Sequence, residues 1–198
     1  GDFKIIEDIY ENAPVTSGLA RLFDNYFMMS AICIAVRNRK NDFKRMIIES
    51  IKGSNRKEIR VMDLAAGPCR EIKELLIEEP ELFKKVIFDC YDSDQNSIQY
   101  ASQRLKGYPN VNFVHENAAR IAFRKDIFSL IDKKYDVIYS TGLFDYFVEK
   151  ISTRLIANLR KLLNPGGQLI ISNVRDKYSN PSVYFMEWIG EWELVYCT

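Results

Sequence analysis

The apolar residues of this chain recur with two different periods, and the change from one to the other falls near residue 55. Leu19, Leu22, Phe23, Tyr26 and Phe27 repeat at helical spacing, and Phe43, Met46, Ile47 and Ile51 do so again before Gly53. The first fifty residues therefore read as helix. Tyr26–Val36 is the most apolar stretch, and Arg37 and Arg39 end it. It is too short to span a bilayer and predicts an amphipathic helix. The polar run Gly53-Ser-Asn-Arg-Lys marks a boundary. It divides a helical cap, residues 1–55, from a second unit, residues 56–198.

After the boundary, short apolar runs predict strands at Ile59–Leu64, Val86–Tyr91, Val111–Val114, Tyr135–Ser140 and Gln168–Val174. Helical patterns separate them, around Ile72–Ile77, Ile98–Leu105, Ile121–Ile131 and Val148–Leu163. Gly107-Tyr-Pro-Asn and Asn164-Pro-Gly-Gly read as turns. Ser182–Gly190 predicts a last helix, and Leu194–Cys197 an extra strand or an end. Strands alternating with helices imply an α/β fold, a doubly wound, mostly parallel, Rossmann-like sheet. Such sheets bind ligands beyond the carboxyl ends of their strands. The residues just after each strand are the candidates.

Composition narrows the function. The chain has 198 residues, 47% of them apolar, which suits one core with a terminal extension. A net charge of +1 gives no broad attraction for nucleic acid or an anionic membrane. No secretory signal is legible. Cys33, Cys69, Cys90 and Cys197 form no close pair, and His115 is the sole histidine. We therefore expect no metal site, and free thiols in a reducing cytoplasm.

The first strand ends in Asp63-Leu-Ala65-Ala66-Gly67-Pro68-Cys69-Arg70. Small residues there let the backbone approach a ligand, although an ordinary tight turn explains them equally well. Asp92 ends the second strand, 29 residues after Asp63. A carboxylate there can accept from both hydroxyls of a ribose. Ser93 or Asp94 then serves as cap of the next helix. After the third strand, Asn117 and Ala118 are candidates for an adenine edge, and His115 reads as structural. After the fourth comes Ser140-Thr141-Gly142-Leu-Phe-Asp145-Tyr146. Neither GxxxxGK[ST] nor GxGxxG occurs, which argues against a nucleoside triphosphatase or a dinucleotide enzyme and leaves a smaller nucleoside cofactor.

Together these segments resemble the class I S-adenosylmethionine-dependent methyltransferases. The Asp63–Gly67 loop is similar to that family's first motif, with Ala65 and Cys69 standing where it has glycines. Asp92, Tyr135-Asp-Val-Ile-Tyr-Ser and Leu163-Asn-Pro-Gly-Gly-Gln-Leu fit later motifs. The resemblance covers Ile59–Val174. It implies that S-adenosylmethionine is held by Asp63, Ala65, Ala66, Gly67, Asp92, Ser93, Asn117, Ala118, Ser140, Thr141 and Gly142. The general fold adds two strands after those seen here, and too few residues follow Val174 to form them, so the C-terminal hairpin is expected to be missing.

A narrower resemblance is to the extracellular-factor 3-hydroxypalmitic acid methyl ester biosynthesis subfamily. It rests on Arg37-Asn-Arg39, Gly67-Pro-Cys-Arg-Glu71, Gly142-Leu-Phe-Asp-Tyr-Phe, Ser172-Asn-Val, Asn180-Pro-Ser, Met186-Glu-Trp and Trp192-Glu-Leu-Val-Tyr. It implies a small-molecule substrate, a hydroxy fatty acid whose carboxylate becomes a fatty acid methyl ester. Asp145 and Tyr146 are then candidate catalytic residues, and Arg37, Arg39, Tyr184 and Glu187 candidate head-group contacts. A solvated helix end accounts equally well for Arg37 and Arg39. A carboxylate is already ionised at neutral pH, so such a transfer asks for orientation rather than a strong base. The alternatives are a cofactor-binding module without turnover, or transfer to another small molecule, RNA or protein.

Overall fold

The computed structural model describes residues 3–175, 178, 180–188 and 191–196. Five strands form one parallel sheet: β1 (Ile59–Leu64), β2 (Val86–Asp92), β3 (Val111–His115), β4 (Tyr135–Ser140) and β5 (Leu163–Ile171), in the order β3-β2-β1-β4-β5. The order reverses between β1 and β4, so the crevice at their carboxyl ends is the switch point.

Both faces of the sheet are covered, which is why its strands read as unbroken apolar runs. On one face Ile59, Val61 and Phe88 pack against α3 (Ala31–Lys52), α4 (Arg70–Glu78) and α6 (Gln95–Arg104), with Phe83 of the short α5 (Pro80–Phe83) filling the edge. On the other face Met62, Leu64 and Ile138 meet α7 (Ala118–Phe123) and α8 (Glu149–Lys161). Phe43, Ile47 and Ile51 of α3 belong to the first core. The last N-terminal helix is thus a layer of the sheet's own packing. Lys44 of α3 also pairs with Glu74 and Glu78 of α4, at 2.9 and 2.7 Å.

Three expectations change. The apolar stretch Tyr26–Val36 is not one helix. α2 (Leu19–Met28) stops, and α3 restarts after Ser30, whose hydroxyl accepts from Cys33 N–H. The two helices meet at 50°. No single helix is long and apolar enough to cross a membrane. Second, the Ile121–Ile131 helix is α7 followed by a separate 3₁₀ turn at Ile127–Ser129, because Asp126 caps a new turn by accepting from Phe128 N–H. Third, β5 absorbs the Asn164-Pro-Gly-Gly turn as a bulge. Tyr135 pairs with Leu163, but Val137 pairs with Gln168. A Cβ at Gly167 would lie 3.0–3.1 Å from three backbone oxygens, so only glycine fits. The strand ends at Ile171 instead of Val174, since Ser172 and Val174 turn to bond with Thr141 and Asp145.

After β5, α9 (Val183–Trp188) and an irregular segment at 191–196 complete the described chain, and no sixth strand pairs with the sheet among the described residues. Cys197 and Gly190, the ends of two predicted elements, lie outside the described residues. α1 (Phe3–Glu11) packs with α3 and α9 through Ile9, Tyr10, Ile32, Val36 and Met186.

Candidate functional site

A cavity of about 230 Å³ opens at the switch point. Its floor is the β1–α4 loop: Ala65, Ala66, Gly67 and Pro68. Three residues of this loop take the left-handed conformation, Ala65 (φ 59°), Gly67 (φ 55°) and Cys69 (φ 48°). Two of them are therefore strained, since a Cβ disfavours that region. Ala66 N–H donates to Tyr91 C=O at 3.0 Å, and Gly67 N–H donates to Asp92 Oδ2 at 2.8 Å, which fixes the loop against β2.

Asp92 also accepts from Asp94 N–H through Oδ1, at 2.9 Å. Its two oxygens keep lone pairs for a ligand's hydroxyls. Asp94 caps α6 by accepting from Asn96 N–H, one of the two caps that the sequence offers. Ser93 and Asp94 line the cavity too.

Beneath the loop lies a buried acidic pair. Asp63 is wholly buried, and neither of its oxygens meets a donor at ordinary hydrogen-bonding geometry. Burial, and then the Glu71 carboxylate, hold it well above the usual carboxylate range. Burial raises Glu71 as well, and Tyr139 O–H donates to it at 3.2 Å. Cys69 and Cys90 bring their sulfurs within 4.8 Å of the Asp63 carboxylate and of each other. The spacing of these ligand types along the sequence hides this cluster, which the loop and two strands assemble. The hydrogen bond to Cys90, burial and the acidic neighbours push the Cys69 thiol up, and burial does the same for Cys90, so both stay protonated at neutral pH.

The far wall is the segment after β4. Thr141, Gly142, Leu143, Asp145 and Tyr146 line the cavity. Ser140 does not: its hydroxyl donates to Leu64 C=O at 2.7 Å and ties β4 to β1 below the site. Asp145 is buried and accepts from Val174 N–H at 2.6 Å, and its Oδ2 lies 3.6 Å from Arg39 Nη1. Burial raises its carboxyl, while the Val174 N–H and the Arg39 guanidinium oppose the rise. Tyr146 O accepts from Trp192 Nε1–H at 2.6 Å.

The N-terminal helices close the remaining side. Phe3, Ile6 and Tyr10 of α1 and Ile32, Val36 and Arg39 of α3 face the cavity. Glu7, buried on α1, binds Arg70 of α4 at 2.7 Å and Arg104 of α6 through both of its oxygens. This ion cluster pins α1 over the loop. The sequence reading places helix over residues 3–11 but singles out neither Glu7 nor, as a cavity residue, Glu71. For Glu71 a signal exists: it sits one turn before Leu75, on the buried face of α4. Trp192 and Leu194 from the C-terminal segment also reach the cavity.

Other candidates lie elsewhere. Asn117 caps α7 by accepting from Ala119 N–H at 2.8 Å and does not line the cavity, and Ala118 is buried against α8's layer. His115 Nε2 meets Ser93 C=O at 3.0 Å, a structural contact. Arg37 donates to Met28 C=O at 2.8 Å and so closes the end of α2. Tyr184 lines a separate exposed groove with Leu22, Phe23, Tyr26 and Trp188. Glu187 follows it on α9, outside the cavity lining.

The cavity suits a ligand that is part nucleoside and part cation. Asp92, Asp94 and Asp145 line it against Arg39 as the counter-charge. A sulfonium and an ammonium group would offset this excess.

Similar proteins agree in fold. In Escherichia coli (strain K12), the uncharacterized protein YnbC is 25% identical over 83% of this chain and 28% of its own length. The malonyl-[acyl-carrier protein] O-methyltransferase of Halalkalibacterium halodurans is 25% identical over 57% of this chain and 38% of its own. The chain thus spans about a third of the length of these two relatives. A possible exported protein from Bordetella parapertussis superposes with a TM-score of 0.71 at 19% identity, covering 90% of this chain and 56% of that one. The plantazolicin methyltransferase BamL, in complex with a triazolic desmethylPZN analog and SAH, superposes with a TM-score of 0.54 at 20% identity over 87% and 60%. Residues 62–169, more than half of the chain and the whole run from β1 into β5, match the methyltransferase domain family, and to that family the chain belongs.

Proposed function

We propose that this chain is the catalytic domain of an S-adenosylmethionine-dependent methyltransferase that esterifies the carboxylate of a small amphipathic acid, a hydroxy fatty acid in the first instance. The observation that carries the reading is the position of Arg39. Its guanidinium lies against Gly142 and Asp145, in the cavity that Asp92 also lines. In this reading Asp92 holds the ribose, and the Ala65–Gly67 backbone and Thr141–Gly142 flank the rest of the cofactor. Asn117 and Ala118 are left a peripheral part near the adenine. The helices of residues 1–55 cap the site that residues 56–198 build. The malonyl-[acyl-carrier protein] O-methyltransferase relative lends weight, since a malonyl group also presents a carboxylate.

The cofactor supplies an electrophilic methyl group on a sulfonium. When bound it would give that methyl to the acceptor's carboxylate oxygen and leave as S-adenosylhomocysteine, with no proton to be removed. The protein's part is alignment and exclusion of water. Arg39 orients the carboxylate through its N–H donors. Asp145 positions Arg39, its Oδ2 lying 3.6 Å from the Arg39 Nη1. The Tyr146 hydroxyl accepts from Trp192 and keeps its own proton to donate to the acceptor. Buried free thiols at Cys33, Cys69 and Cys90 agree with a reducing, cytoplasmic setting.

The test is calorimetry with S-adenosylhomocysteine, then transfer of labelled methyl from S-adenosylmethionine to a panel of fatty and hydroxy fatty acids. Cofactor binding with ester formation is expected. Binding with no ester from any carboxylic acid would overturn the acceptor, and no binding would overturn the whole reading.

A further inference from the structure

Positions 19, 22, 23 and 26 fall on one side of α2, and all four carry large apolar or aromatic side chains. That side faces away from the protein: Leu19, Leu22, Phe23 and Tyr26 are exposed, and no residue of α2 is buried. Phe27 and Met28, elsewhere on the helix, are half-buried against the core that α1, α3 and α9 share. Phe185 of α9 stacks on Phe27 and meets Tyr26 edge-on, each with ring centres 5.5 Å apart, and so holds α2 beside α9. Between the two helices runs an open groove of about 1000 Å³. Tyr184 and Trp188 of α9 line it too, and no charged residue does.

An amphipathic helix ordinarily turns its apolar stripe to the core, and α2 does the reverse. A continuous exposed patch of this kind marks an interaction site. Its size fits a particular class of partner. The six side chains are 63–80% exposed, and at about 150–250 Å² each they present roughly 900 Å². A standard interface takes about 800 Å² from each partner. Four of the six are Phe, Tyr or Trp, which carry much of the energy of an interface, and the lack of charge matches the centre of a homodimer contact. Charge decides between occupants. α2 and α9 together carry Arg21 against Asp24 and Glu187, so they offer no basic face to an anionic lipid surface. The whole chain carries +1, so two copies meet with little repulsion.

We infer that the α2–α9 groove is the interface of a homodimer, a two-fold pairing in which the α2 ridge of each copy seats in the groove of the other. The pairing covers the same patch on both copies. It stands apart from the methyl acceptor, since none of the six residues lines the cofactor cavity.

The experiment is analytical ultracentrifugation of the whole chain from about 0.1 to 100 µM, since interfaces of this size hold at micromolar concentration or below. The mass should rise to twice that of one 198-residue chain. Amide hydrogen exchange should slow in α2 and α9 as the dimer forms and stay constant in β1 and β4. Phe23→Glu and Trp188→Glu each put a charge into the apolar patch and should weaken the dimer by about 30-fold or more. Both positions are exposed, so the far-UV circular dichroism and thermal midpoint of the variants should match those of the wild-type monomer at low concentration. A chain that stays monomeric throughout would overturn the inference, and so would a dimer that either folded variant keeps at full strength. Flotation of the monomer with phosphatidylcholine vesicles would overturn it in favour of a lipid surface.

Discussion

The carboxylate of Asp92 accepts the backbone N–H of Gly67 at 2.8 Å, joining the end of β2 to the loop after β1. The residue placed to meet a ribose therefore also shapes the floor beneath it. Asp92→Ala removes both functions and should cost about 1.5–3 kcal/mol of cofactor binding, roughly 10- to 150-fold in Kd. Asp92→Asn keeps an oxygen for Gly67 and should lose less. Calorimetry with S-adenosylhomocysteine reads both variants, and equal losses would mean that the bond to Gly67 contributes nothing.

Ala65 has φ 59°, the conformation that favours glycine. A methyl group there costs roughly 1–2 kcal/mol, and a glycine's greater freedom when unfolded returns about 0.5–1. Ala65→Gly should thus raise stability by about 0.5–1 kcal/mol, visible in urea unfolding as a higher midpoint with an unchanged slope. A lower midpoint would show that the Ala65 methyl packs productively against the cavity wall.

Glu7 holds α1 in place through Arg70 and Arg104, two residues from separate helices. Phe3, Ile6 and Tyr10 of the same helix face the cavity, so loosening α1 opens one of its walls. Glu7→Gln leaves two guanidinium groups with weaker partners and should loosen α1 by about 1–3 kcal/mol. Hydrogen exchange should rise in residues 3–11 while β1 and β4 stay protected, and S-adenosylhomocysteine should dissociate faster. Uniform exchange across the chain would point to global destabilisation and remove the latch.

How far the site was legible follows from how local its determinants are. The helix cap at Asp94 is legible because it is set within three residues of a strand end. The sheet was legible for the same reason, since each strand carries its own apolar run. The bulge in β5 was not, because Gly167 is demanded by backbone oxygens of residues 135, 136 and 164. Arg37 and Arg39 look alike in the sequence. They lie two positions apart on α3, and only Arg39 falls on the helix face turned to the cavity, while Arg37 closes the end of α2. Asn117 was read for its polarity, but a side chain at the start of a helix is claimed first by the cap. Glu7 and α1 depend on partners 63 and 97 residues away, a relationship no local pattern records.

Asp63 connects the site to pH. Its carboxyl is held well above the ordinary value of 3.8 by burial and by Glu71. From 3.8 up to its raised folded value, the folded chain holds more protons than the unfolded one, so stability falls as pH rises through that window. A cationic ligand above the loop favours the ionised form and pulls the value back down. Within the window, binding S-adenosylmethionine should therefore release a proton and tighten as pH rises. S-adenosylhomocysteine lacks the sulfonium charge and should release less. Calorimetry in two buffers of different ionisation enthalpy counts the protons directly. In Asp63→Asn the release should vanish or shrink to the share of Glu71, and an unchanged count would assign it to another group.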